Sequence, residues 1–117
     1  MAITDKPDQD IINIVEPMIN DVVSASNLMN WELFSKYQTN EEADDPENRK
    51  NVEKQWSESK FLTSLSLQRD ILGVLRRDDV ATVFWRQTSK DVAGEYLATY
   101  QIKEINQEIK EVGFLLV

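Results

Sequence analysis

The 117-residue chain contains no cysteine and no histidine. The first absence excludes disulfides, thiolate catalysis and cysteine metal sites. The second removes the commonest general base and the commonest transition-metal ligand. A metal site would have to be built from carboxylates alone, a donor set that suits magnesium, calcium or manganese. Basic residues are scarce as well: 13 Lys and Arg stand against 21 Asp and Glu, for a formal net charge of −8. Affinity for nucleic acid and for anionic lipid depends on Lys and Arg, so neither partner is expected. No stretch approaches the ~20 apolar residues that span a bilayer. The opening Met-Ala-Ile-Thr-Asp-Lys lacks the basic-then-apolar pattern of a secretory signal, and a cytoplasmic location is the expectation. Glycine-rich phosphate loops, a Gly-x-Ser-x-Gly elbow and zinc-ligand spacings are also missing.

What is present is enough for one core. Hydrophobic residues make up 41% of the chain, and the length suits a single domain over residues 1–117. Ile11, Ile12, Val15, Met18, Ile19, Val22 and Val23 recur at three- and four-residue spacing, which predicts a helix over 8–26 with one apolar stripe. Asp8 or Asp10 can cap it. Pro17 removes one helical hydrogen bond, so a kink or a later start is expected there. Asn30 is the expected N-cap of a short helix to Gln38 carrying Trp31, Phe34 and Tyr37. The acidic stretch 39–49 reads as an exposed loop. It lacks the ligand spacing of an EF-hand, so a solvated loop is preferred to a calcium site. Residues 50–59 read as a third helix, anchored by Val52 and Trp56.

Beyond Phe61 the period changes to that of strands. Residues 61–67, 71–75, 80–88, 95–103 and 112–117 are apolar or alternating, separated by turn-like residues. Helices first and strands later favour an α+β fold with an antiparallel meander. With Asp78-Asp79 as a two-residue turn, Gly73 lies opposite Phe84 and Leu72 opposite Trp85. A glycine facing an aromatic ring is a device for bending a sheet. In that register Asp70, Leu72, Val74, Val83 and Trp85 share one face, and Ile71, Leu75, Phe84 and Arg86 the other. Both faces carry large apolar groups, so one should cover the first helix and the other a second subunit.

This order of parts resembles the nuclear transport factor two-like superfamily, the cystatin-like cone. Trp31-Glu32-Leu33-Phe34-Ser35-Lys36-Tyr37 resembles its short second helix. Asp70 to Arg77 followed by Val83-Phe84-Trp85-Arg86-Gln87 resembles its central hairpin, and Gly94-Glu95-Tyr96-Leu97 and Val112-Gly113-Phe114 its last strands. The likeness spans about residues 8–117. It implies helices packed on a strongly curved antiparallel sheet, and it covers enzymes, pocketed binding domains and interaction modules alike. The enzyme patterns fit poorly: there is no histidine for a scytalone dehydratase, and no tyrosine in the first helix for a ketosteroid isomerase. Limonene epoxide hydrolase uses two aspartates bridged by an arginine inside the cone. Asp70 and Arg86 can supply parts of that set, but the register above puts them on opposite faces.

The candidate residues follow. Trp31, Phe34 and Tyr37 can line the mouth of a pocket, although aromatics at helical spacing are more often packing. Trp56, Trp85, Tyr96 and Tyr100 can stack on a flat apolar ligand, against the alternative of core or dimer packing. Tyr96 and Tyr100 share one strand face, and a buried hydroxyl there needs a partner. Arg76, Arg77 and Arg86 are more often exposed cross-strand partners of acids than carboxylate binders. Asp70 is the weak candidate for a general base, set against a solvated strand end. The expectation is a dimerising domain that binds a small apolar molecule without catalysis, without a cofactor and without a metal. The alternatives are a small lyase or isomerase using Asp70 with Tyr96 as donor, and an acidic protein-binding adaptor.

Overall fold

A computed structural model describes residues 2–117. The chain is α+β, with the elements in the expected order. After a 3₁₀ turn at Ile3–Asp5 come helices α1 (Asp8–Leu28), α2 (Trp31–Phe34), α3 (Asn40–Ala43) and α4 (Pro46–Glu58). Strands β1 (Asp70–Arg77), β2 (Val80–Gln87), β3 (Tyr96–Ile105) and β4 (Glu108–Leu116) follow. The strands form one antiparallel meander in the order β1-β2-β3-β4. Among the described residues no helix is long and apolar enough to cross a membrane.

Helix α1 runs unbroken through Pro17, and Pro7 occupies its N-cap position. Asp8 and Asp10 sit in its first turn without a capping hydrogen bond, where their charge meets the positive end of the helix dipole. Its stripe turns inward: Ile11, Val15, Met18, Ile19, Val22 and Val23 are buried, and Ile12 is half-buried at its edge. The facing side of the sheet supplies Ala81, Val83 and Trp85 from β2 and Ala98, Tyr100 and Ile102 from β3, all buried. Gln87 ends that row, fully buried. Its amide accepts from Trp85 Nε1 at 2.8 Å and donates to the carbonyls of Ser66 and Thr88, so no polar atom of this side chain is left unpaired.

Three expectations need correction. The acidic stretch is not all loop. Thr39 caps α3, and Asp45 caps α4, whose first residue is Pro46; proline tolerates a first turn because its missing N–H would be unpaired there. Residues 61–67 are turns with one isolated bridge, Leu65 to Ser89, rather than a strand. The backbone N–H of Leu65 binds Asn27 Oδ1 and its carbonyl accepts from Asn27 Nδ2, so a side chain of α1 satisfies what a ladder would have.

The third correction concerns register. From Arg77↔Val80 to Gly73↔Phe84 the pairing is as expected, but Ile71 and not Leu72 faces Trp85. A bulge at Leu72 adds one residue, which exchanges the two faces below it because side chains alternate with period two. Asp70 therefore pairs with Arg86 on the outer face. A second bulge leaves Val112 without a partner between Gln101↔Gly113 and Ile102↔Glu111.

Candidate functional site

One cavity of about 360 Å³ opens between α4, the residues after α2, and the end of β4. Phe34, Trp56 and Phe114 form its aromatic wall. Phe34 meets Trp56 edge-on with ring centroids 5.3 Å apart, and Phe114 at 6.2 Å. Trp85 stacks behind Phe114 at 6.2 Å, and Tyr100 contacts it edge-on at 6.0 Å. Trp56 is held in place by a hydrogen bond from Nε1 to Ser26 Oγ at 3.1 Å, and that hydroxyl donates in turn to the Leu62 carbonyl.

The polar part of the lining is Ser26, Gln38, Glu42, Asn48, Gln55 and Glu111. Glu111 is the unusual member. It is 6 % exposed, and its Oε1 has no hydrogen-bond partner. Its position is set by backbone: its N–H donates to the Tyr37 carbonyl at 2.7 Å, a parallel bridge joins it to Gln38, and it faces Ile102 across the sheet. Burial pushes its carboxyl up to about 7, with Glu42 adding repulsion and the Tyr100 phenol pulling the other way. The phenol is pushed upward in turn, first by burial and then by Glu111. The Tyr100 phenol and the Glu111 carboxylate are thus neighbours, although neither Oη nor Oε1 makes a well-aligned hydrogen bond. Glu111, which lines the cavity, is the group able to orient a ligand or exchange a proton with it, and the Tyr100 phenol stands behind it.

The expected site residues disperse. Trp56 lines the cavity. Tyr100 and Trp85 are fully buried one layer behind its aromatic wall. Tyr37 lends its carbonyl to Glu111 while its hydroxyl donates to Asp21. Trp31 packs in the core beside Phe34 and borders a separate shallow groove with Glu32 and Arg49. Tyr96 lies at the start of β3, its ring tilted against Phe61 with centroids 4.2 Å apart and its hydroxyl donating to the Ala93 carbonyl. Asp70 points to solvent, with its side chain 70% exposed and bound to Arg86 at 3.1 Å. Exposed and paired with an arginine, Asp70 lacks the enclosed apolar surroundings that a general base of this kind needs.

Phe34, expected at the mouth of a pocket, does line the cavity, whereas Glu111 and Phe114 are residues that the sequence reading left out of the site. Glu111 and Phe114 are three apart, and a regular strand would send them to opposite faces. The bulge at Val112 brings both onto the inner face, in register with Ile102 and Tyr100. The available signal was the alternation Ile109, Glu111 before the bulge, hidden when the last strand is started at Val112. Among the described residues no group of three or more acids is arranged to hold a metal ion. The chain matches no protein-family model, no characterised protein and no solved structure.

Proposed function

We propose that this chain is a binding domain for a small molecule with an apolar body and one polar group, built on a cystatin-like cone of the nuclear transport factor two-like type. The observation that carries the reading is the cavity itself: an aromatic wall with one buried carboxylate, Glu111, in its lining. Ligand sites are mostly apolar concavities of ~300–1,000 Å³ with few convergent polar groups, and this cavity falls at the small end of that range. The cone reading is supported by the long helix lying across a bent meander and by the two bulges that bend it. Filling the cavity tests the function. Val52→Phe places a ring in its lining, and should abolish uptake of small apolar compounds while the fold survives. Ligand retention, read by native mass spectrometry, that is equal in wild type and V52F would overturn the proposal.

The outer sheet face carries Leu75, Phe84, Leu97 and Leu115, three of them exposed and Phe84 half-buried. That pattern supports a homodimer through the sheet, since exposed apolar faces mark association surfaces. Sedimentation giving a monomer at micromolar concentration would remove it.

A second reading, a small lyase or isomerase, gains support from one observation. The buried carboxylate it requires exists, as Glu111 beside Tyr100 and not as Asp70 beside Tyr96. A group titrating near neutrality in an enclosed site suits proton abstraction. Exchange of a carbon-bound proton with deuterated water in a bound ketone, lost in Glu111→Gln, would support it, and equal exchange in both proteins would end it.

A further inference from the structure

Resting on that pocket reading, we propose that the ligand taken up beside Glu111 is an organic ammonium ion with an apolar, aromatic-sized body. Three features of the lining point to a cation. Its two charged side chains, Glu42 and Glu111, are both acidic, and among the described residues no Lys or Arg lines it. Lys36 is instead held on the surface by Asp21 at 3.5 Å and lies over the Tyr37 ring. Glu111 lines the cavity while more than nine-tenths buried, with the Tyr100 phenol as the neutral donor beside it, so no cation of the protein compensates its charge.

Each ligand class fares differently against that lining. A carboxylate or phosphate would meet two like charges without a counterion. A neutral alcohol offers one donor, but leaves the ionised acid without a compensating charge. An ammonium group offers several N–H donors and the opposite charge. The aromatic lining of Phe34, Trp56 and Phe114 covers the apolar remainder, and an aromatic face within reach of the ammonium attracts it through its quadrupole. Binding would hold Glu111 ionised, since an adjacent cation favours the charged form of an acid.

The test is calorimetry on the full chain at about pH 8, with Glu111 ionised. Phenethylammonium is compared with phenethyl alcohol and with hydrocinnamate, three probes of similar size that differ in head-group charge. The expected order is ammonium tightest, by about tenfold or more over the alcohol, because a charge-assisted hydrogen bond replaces a neutral one. Hydrocinnamate should be weakest. Glu111→Gln should collapse the ratio of ammonium to alcohol, and V52F should abolish all binding. An alcohol or carboxylate that binds wild type as tightly as the ammonium would overturn the cation assignment and leave the pocket reading standing. Ammonium binding that survives V52F, or no binding of any probe, would overturn both. The comparison of probes on wild type needs no variant, so it decides the matter even if E111Q fails to fold.

Discussion

Replacing Glu111 by glutamine should stabilise the protein at neutral pH, and by an amount that depends on pH in a calculable way. The acid is buried, and its carboxyl moves from an ordinary 4.5 up to about 7. The folded state therefore holds a proton over a range where the unfolded chain has lost it. This contribution is fully present below about pH 4.5, declines as pH rises, and is gone above about pH 7. Each pH unit in that window corresponds to ~1.4 kcal/mol, so the whole loss is about 3 kcal/mol. That is a sizeable part of the ~5–15 kcal/mol that holds a typical domain together. Glutamine has the shape of the protonated acid and cannot ionise, so it escapes the loss. The groups facing Glu111 that would distort the window are Tyr100 from β3 and Glu42 from α3. Trp31, Trp56 and Trp85 are all buried, so urea unfolding can be followed by fluorescence. The quantity to plot is the stability of E111Q minus that of wild type between about pH 5 and pH 8, which cancels the other carboxylates. It should rise by about 2–3 kcal/mol across the range. A flat difference would refute the claim that Glu111 is buried and proton-hungry, and with it the electrostatic account of the cavity.

Other substitutions probe the frame around the site. A Cβ on Gly73 would lie 2.7 Å from Phe84 Cζ, the far end of a half-buried ring that can swing aside. Gly73→Ala should therefore cost only about 1 kcal/mol in urea unfolding, and Phe84→Leu should recover most of it in the double variant. Arg69 has a side chain only 4% exposed and ties the approach to β1 onto α1 through Glu16 at 3.1 Å and Asn20 at 2.6 Å. Arg69→Met should cost about 1–2 kcal/mol, because Glu16 is 44% exposed and can return to water; a loss above that would mean the guanidinium does more than bridge. Asp70→Asn should leave stability within about 0.5 kcal/mol of wild type and ligand retention unchanged, as an exposed pair contributes little. Altered ligand retention in D70N would restore Asp70 as a site residue.

Which parts of this molecule were legible in advance follows from how local each one is. The stripe from Ile11 to Val23 predicts a helix and its buried face, because a 3.6-residue period is written along the chain itself. Asp78-Asp79 between apolar runs likewise marks the β1–β2 turn and the register as far as Gly73. Composition alone removed thiol, histidine and zinc chemistry. The site was another matter. Its parts come from α2, α4 and β4, and Glu111 and Phe114 share a face only because of one extra residue at Val112. The same kind of insertion at Leu72 turned Asp70 outward and paired it with Arg86. A bulge shifts every side chain beyond it to the opposite face, and nothing in the few residues around it announces where the sheet must bend. So the chain's own periodicities determined the helix, the meander and the core. Which acid lies buried and which lies in water was decided only when the sheet packed against the helices, because burial depends on what covers a residue and not on its neighbours in sequence.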